Sequence, residues 1–263
     1  RGARVTIAAR DLEKAENAAE EIRTATGNPE VDVLGLELTL PDRVRESAKQ
    51  WLADHDELNL LINNAGVMAC PLDRTAEGWE FQFATNHLGH FLFTGLLVPA
   101  LVRGAPARVV NLSSAGHRMS PVVFDDIHFE DRPYDKWESY GQSKTANILF
   151  SVALNARLAG KGVSAYAVHP GMIMTELGRH MGQQDLEDLM SKRPAGTKME
   201  WKSVEAGAAT SVWAATATEL EGQGGRYLED CGVARPKKTE EDVAGYADYA
   251  VDAEAAERLW RVS

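Results

Sequence analysis

Val5-Thr6-Ile7-Ala8-Ala9-Arg10-Asp11, running on through residues 12–26 to Gly27, is the stretch that decides the fold. Its first five residues are apolar with β-branched members, which suits a buried strand. Asp11 has the side-chain oxygen that accepts from free N–H groups at a helix start, and Gly27 has the freedom to end one in the left-handed region. Strand followed by helix is therefore predicted, and the unit recurs outward from it. Residues 31–38 read as a strand, Pro41-Asp42 opens a helix to about His55, and 58–62 read as the next strand. A long amphipathic stretch at 77–102 precedes a strand at 108–112, a helix at 137–159 and a strand at 163–168. A helix at 204–216, a short strand at 225–229 and an acidic, alanine-rich tail expected to form a terminal helix complete the chain. This alternation predicts an α/β fold, a doubly wound parallel sheet with helices on both faces, in one domain over 1–263. Residues 171–202 break the rhythm with Gly, Met and charge, and 172–202 is expected to cover a substrate.

Composition narrows the function. Twenty-eight Lys plus Arg against 39 Asp plus Glu leave a net charge of −11 in 263 residues, so no concentrated positive face is expected for nucleic acid. A local basic site for one phosphate is compatible with that charge. Cys70 and Cys231 stand far apart in no metal-ligand or redox spacing, which fits a reducing, cytoplasmic setting. The longest apolar run, 91–102, is about half of the roughly 20 residues a membrane span needs.

In open parallel sheets ligands bind beyond the carboxyl ends of the strands. The residues there are Arg10, Asn63-Asn64-Ala65-Gly66, Ser113-Ser114-Ala115-Gly116 and His169-Pro170-Gly171. The helix after Ser114 carries Tyr140-Gly141-Gln142-Ser143-Lys144, whose spacing puts a phenol and an ammonium on one face. A fixed ammonium stabilises phenolate and brings a group that ordinarily titrates near pH 10 toward a working value. Tyr140 could then exchange a proton with a carbonyl or alcohol oxygen that the Ser114 hydroxyl holds.

Asn63 to Gly66, Asn86, Ser114, the Tyr140 to Lys144 pattern and Pro170-Gly171 together resemble the short-chain dehydrogenase/reductase family over nearly the whole chain. The resemblance implies a Rossmann-type fold and hydride transfer between an alcohol and a ketone or aldehyde. It makes Tyr140 the general acid/base, Lys144 the residue that lowers its pKa and bonds the nicotinamide ribose, Ser114 the substrate-oxygen donor and Asn86 the support of a water relay. Ser113 is the nearest rival to Ser114, which is preferred because it directly precedes the small-residue turn Ala115-Gly116. Cofactor contacts are implied at Arg10, Glu37, Leu38, Asn63, Ala65, Gly66, Tyr140, Lys144, Pro170, Gly171, Ile173 and Thr175. Ala9 stands where NAD-preferring relatives usually carry an acidic residue. Arg10 can pair with a 2′-phosphate, so NADP(H) is favoured and NAD(H) is the alternative. The wide Ser114-to-Tyr140 separation marks an inserted loop. With Phe124-Asp125-Asp126-Ile127, His169-Pro170-Gly171 and Thr175-Glu176-Leu177, it resembles the retinol-dehydrogenase-like and WW-domain-oxidoreductase-like branch. That branch implies a small-to-medium lipophilic substrate, and the family implies a homodimer or homotetramer.

The family's glycine-rich strand, turn and helix, which hold the pyrophosphate, would precede residue 1. The chain is expected to lack that central strand and about 20 to 30 further residues, the scale of a βαβ unit. The consequence would be two unpaired strand edges.

Several residues carry a plainer reading. His87 and His90 have a metal-compatible spacing without a third ligand, so no metal is expected. His117 and His169 flank the active region and read as packed or hydrogen-bonded rather than as bases. Met172, Met174 and Met181 are core filling or the lining of an adaptable apolar pocket. A non-catalytic nucleotide sensor or scaffold is the competing class, but it would not need Ser114, Tyr140, Lys144 and Asn86 together. The narrow Tyr-to-Lys spacing argues against an enoyl reductase, and the short C-terminal region against a sugar epimerase.

Overall fold

In a computed structural model that describes residues 2–191, 201–239 and 242–263, the expected alternation is present. Strand β1 (Val5–Ala9) leads into α1 (Leu12–Thr26), β2 (Val31–Gly35) and α2 (Pro41–Asp54). Asp11 caps α1 by accepting from the Lys14 amide at 3.1 Å, and Gly27 ends it at φ 69°. Next come β3 (Leu60–Asn63), the single turn α3 (Phe81–Phe83), a π-helical turn (Ala84–Leu88) and α4 (Gly89–Arg103). β4 (Ala107–Leu112), α5 (Lys136–Leu158) and β5 (Val163–His169) follow. The remainder holds β6 (Met172–Ile173), α6 (Gln183–Ser191), β7 (Trp201–Lys202), α7 (Val204–Thr216), β8 (Arg226–Glu229), β9 (Gly232–Val233) and α8 (Ala253–Val262).

The main strands are parallel, but they form two sheets, β1-β2 and β3-β4-β5-β8-β9. β1 and β3 do not pair, and Leu60 and Ile62 on β3 are 37% and 42% exposed, which matches the expected pair of open edges. Both sheets rest on one helix pair. Val44, Ala48 and Trp51 of α2 and Phe93, Leu97 and Ala100 of α4 pack on Leu34 of β2, with Ala8 and Leu61 against the same cluster. Alternation along β4 sorts its side chains between two layers. Val109 packs with Phe150 and Leu154 of α5, whereas Val110 and Leu112 pack with Ala214 of α7 and Leu228 of β8. Burying each such side chain contributes about 1.5–3 kcal/mol, so these two layers hold the carboxyl ends of β3, β4 and β5 in fixed relation.

The structure departs from the sequence reading at element ends. β2 stops at Gly35 rather than at residue 38, because a turn closed by Leu40 N–H on the Glu37 carbonyl begins there. The helix expected from 77 starts only at Phe81, after a turn around Gly78. The buried Glu80 carboxylate caps it, accepting from the amides of Gln82 and Phe83 at 3.0 and 2.7 Å. β9, antiparallel to β8, was not expected. Residues 172–202 hold β6, a 3-10 turn at Glu176–His180, α6 and β7; positions 192–200 of that covering segment lie outside the described residues. No helix among the described residues is long and apolar enough to cross a membrane.

Candidate active site

The Ser114 turn and α5 meet at unusually short range. Ser114 leaves β4 with an extended backbone and caps the 3-10 turn Ala115–Met119, its hydroxyl accepting from the Gly116 amide at 3.0 Å. A Cβ on Gly116 would lie 2.7 Å from the Tyr140 ring, and one on Gly141 2.8 Å from the Gly116 carbonyl, so only glycines permit this approach. Tyr140 is buried, and the nearby Ser114 hydroxyl favours its phenolate. Ser113 is turned the other way, its hydroxyl donating to the Lys144 carbonyl at 2.8 Å. Of the two serines, Ser113 has its hydroxyl engaged by the α5 backbone, whereas Ser114 lies on the turn against Tyr140.

Asp135 starts α5 by accepting from the amides of Trp137 and Glu138, both at 2.8 Å, which sets the phase of Tyr140 and Lys144 on the buried face. The Lys144 ammonium donates to the Leu112 carbonyl at 3.1 Å and stands 5.7 Å from the centre of the Tyr140 ring. Burial lowers its pKa to about 8. Burial also pushes Tyr140 up to about 12, against the opposing influence of the Ser114 hydrogen bond. The downward shift expected from Lys144 is thus not the prevailing one here, because desolvation of the phenolate outweighs it.

Asn86 lies in the π-helical turn, an irregularity that recurs at functional sites. Its side-chain amide donates to the Val67 carbonyl at 3.0 Å and to Ser143 Oγ at 2.9 Å, and its Oδ1 accepts from the Val67 amide at 2.8 Å. Its backbone carbonyl accepts from His90 Nδ1 at 3.0 Å, which leaves the oxygen a second lone pair. His87 instead meets Ser263 Oγ at 2.8 Å among Phe83, Phe91 and Phe150. The two histidines therefore do not converge. Burial lowers the pKa of His87 to about 3 and of His90 to about 4, which keeps both neutral.

The residues expected to hold a dinucleotide divide into two groups. Arg10 is at the end of β1, its side chain 66% exposed and paired with Glu37 at 3.7 Å. Glu37 also accepts from the Thr39 hydroxyl at 2.7 Å, and Leu38 is buried under the start of α4, close against Gly89. Gly66 sits beside Lys144, where a Cβ would lie 3.5 Å from Nζ and 3.0 Å from Asn86 Oδ1. Ala65 and Thr175 are exposed, and Pro170 and Gly171, at φ 92°, make the turn out of β5. Asn63 is buried, its side-chain amide donating to Thr94 Oγ1 at 2.9 Å and Asn111 Oδ1 at 2.7 Å, and Ile173 leans on Gly207 of α7.

A nicotinamide cofactor, implied by the family resemblance, fits these residues. Among the described residues the Lys144 ammonium makes one hydrogen bond, which leaves two N–H groups for a ribose. Gly66 keeps open the space that a side chain would close. His117, read from sequence as packed or hydrogen-bonded rather than as a base, is both, clasped between Ser114 and Ala247 of the C-terminal segment, a partner that no periodicity marks because it is distant in the chain.

The family model described as short chain dehydrogenase matches residues 1–186. Mouse retinol dehydrogenase 12 is 44% identical over 269 residues, covering all of this chain and 78% of that protein. A solved structure of an uncharacterized protein from Mycobacterium paratuberculosis superposes with a TM-score of 0.73 at 32% identity, covering all of this chain and 83% of that one. The NADP complex of RhlG from Pseudomonas aeruginosa gives 0.64 at 26% identity over 87% and 84%. The chain belongs to the short-chain dehydrogenase/reductase family of oxidoreductases, within its retinol-dehydrogenase-like branch.

Proposed function

We propose that this chain interconverts an alcohol and a ketone or aldehyde on a small-to-medium lipophilic substrate, with NADP(H) as hydride carrier and Tyr140 as general acid and base. One observation carries the reading: the Tyr140 ring packs on the turn that Ser114 caps, beside a buried Lys144 ammonium, at the carboxyl ends of the parallel strands. Two hydroxyls brought to one carbonyl oxygen can both donate to it, which orients the carbon for attack and stabilises the charge that develops. When bound, the nicotinamide ring supplies or accepts the hydride. In reduction Tyr140 gives its proton to the substrate oxygen; in oxidation it takes that proton back. With its pKa at about 12, Tyr140 is protonated at neutral pH, the form a proton donor needs. Lys144, at about 8, is still mostly ammonium there and stabilises the phenolate that donation leaves.

Arg10 supports the preference for NADP(H), because its exposed guanidinium follows β1 where no carboxylate precedes it. NAD(H) is the second reading, favoured by Glu37, whose carboxylate offsets the Arg10 charge. The similarity to retinol dehydrogenases makes retinoids one candidate substrate. Cys70 and Cys231 are both free thiols, consistent with the cytoplasm as the proposed location.

The test follows the oxidation of NADPH and NADH by the full gene product against lipophilic ketones, aldehydes and retinal, with Tyr140→Phe alongside. NADPH oxidation that disappears in the variant supports the reading. Silence with every substrate despite measurable dinucleotide binding moves the assignment to a nucleotide sensor.

A further inference from the structure

The turn bearing Ser114 is joined to the far end of the chain by a buried side chain. His117 is fully buried, and both of its ring nitrogens are engaged. Nδ1 lies 2.7 Å from the Ser114 carbonyl oxygen, and Nε2 lies 3.2 Å from the amide nitrogen of Ala247. A carbonyl only accepts and an amide N–H only donates, so one arrangement of protons satisfies both: neutral imidazole, with hydrogen on Nδ1 and the lone pair on Nε2. No other side chain offers a donor and an acceptor at these two positions on one rigid ring.

The rest of the residue is equally constrained. Its amide donates to the same Ser114 carbonyl at 3.0 Å. Its carbonyl accepts from Thr145 Oγ1 and from the Tyr249 hydroxyl, both at 2.9 Å. The ring stands edge-on to Tyr227, centroids 4.9 Å apart. Next to it, Arg118 donates to the Val243 carbonyl at 2.9 Å, a second tie to the C-terminal segment. With no ring nitrogen free, His117 is not placed to exchange protons with a substrate.

We propose that His117 is a positioning residue, which sets the direction of the Ser114 hydroxyl by clasping the Ser114 carbonyl to the backbone of Ala247. The physical link is the Ser114 ψ angle of 157°. That angle relates the direction of the carbonyl to that of Cα–Cβ, so holding the carbonyl oxygen fixes Cβ, and the bond from the Gly116 amide then fixes Oγ about it. The short approach of Gly116 to the Tyr140 ring leaves little room for the turn to adjust if the clasp is released. The C-terminal segment, distant in sequence from every catalytic candidate, thereby acts on the proton-transfer geometry. This inference rests on the reading of Ser114 as the hydroxyl that holds the substrate oxygen.

The test is a double-mutant cycle in the full gene product, with NADPH and retinal or the fastest ketone of the panel. The variants are His117→Phe, Ser114→Ala and both together. His117→Phe keeps ring volume and loses both hydrogen bonds. Misplacing a positioning group is expected to lower kcat about 10-fold with KM changed little, and to cost less than about twofold when Ser114 is already Ala. His117→Asn, whose amide can again donate to the Ser114 carbonyl, should recover most of the rate. Equal losses in both backgrounds would mean a general packing role and would overturn the inference, while leaving the reading of Ser114 intact. An unimpaired Ser114→Ala would instead sink that reading and the inference with it. Should His117→Phe not fold, Ala247→Pro serves in its place. It removes the amide N–H at a φ of −79°, compatible with proline. A loss of about threefold is expected, again confined to the background that retains Ser114.

Discussion

The two halves of this crevice are built on different physics. On one side, buried Tyr140 and Lys144 and half-buried Ser114 sit between β4 and α5, with Gly116 and Gly141 allowing contact at a distance no other residue would permit. On the other, the segment after β5 is largely exposed, with Met174 at 73%, and is attached by ion pairs: Lys14 to Glu176, Lys136 to Asp185, and Lys202 to Asp230. Buried packing holds a geometry to fractions of an ångström, whereas exposed pairs contribute little and exchange readily with water. The half proposed to transfer the proton is therefore the rigid one, and the half expected to cover the substrate is the replaceable one. Substitutions in the first should act on kcat, and those in the second on KM.

The largest effect expected from that contrast is at Tyr140. Tyr140→Phe removes one oxygen and keeps the ring that packs on Gly116. A general acid/base contributes about 10²- to 10⁴-fold, so kcat should fall about a thousandfold while dinucleotide affinity and the melting temperature stay close to wild type. A variant that keeps a tenth of its rate would mean that proton transfer is carried elsewhere.

Lys144 sharpens the comparison through stability. Its folded pKa, about 8, lies below its ordinary value of 10.5, so between those two pH values the unfolded chain binds more protons than the folded one. Stability from this group is therefore at its lowest below pH 8 and recovers as pH rises toward 10.5. Lys144→Met removes that penalty, and the Leu112 carbonyl keeps its bond from Asn147 at 2.9 Å. The variant should lose activity and yet gain roughly 1 kcal/mol at pH 7. That corresponds to a melting temperature about 2–4 °C higher, with the difference shrinking as pH rises from about 8 to 10.5. A lower melting temperature at pH 7 would show that the ammonium is structurally required.

Arg10 tests the cofactor end of the same crevice. Charge-assisted hydrogen bonds contribute about 1.5–3 kcal/mol, so Arg10→Ala should raise the KM for NADPH about 10- to 100-fold and leave that for NADH nearly unchanged. Equal changes for both would break the assignment of Arg10 to a 2′-phosphate.

What the sequence disclosed follows the same division between local and distant causes. Asp11, Gly27 and the β-branched runs act on their own neighbours, so helix and strand positions were readable to within a few residues. The spacing from Tyr140 to Lys144 fixes a shared helix face whatever surrounds it, and that much of the candidate site was legible too. Sequence could not show that Asn63 turns into the core, because its partners Thr94 and Asn111 lie on other elements. Nor could it show that desolvation outweighs Lys144 in setting the Tyr140 pKa, since burial is a property of the assembled layers. Asn86 gave a partial signal, an asparagine within a helical run, but its π turn depends on contacts to Val67 and Ser143. The clasp on His117 bridges positions far apart in the chain and left no trace in periodicity.

The smallest effect is expected where the covering segment meets the rigid half. Lys136, the first residue of α5, pairs with Asp185 of α6, and the hydrogen bond holds the Asp185 carboxyl below its ordinary pKa. The carboxylate is 13% exposed and the lysine 32%, so the pair is better sheltered than Lys14 with Glu176, at 67% and 79%. A partly exposed pair contributes up to about 1 kcal/mol, which limits Asp185→Asn to about a fivefold rise in the substrate KM. kcat and the KM for the dinucleotide should not move, and Glu176→Gln should change neither parameter measurably. Raising the salt concentration should mimic Asp185→Asn in the wild type and have little further effect in the variant. A fall in kcat in Asp185→Asn would mean that α6 reaches through Lys136 into the phase of α5, and the separation between the rigid and the replaceable half would then fail at its one sheltered contact.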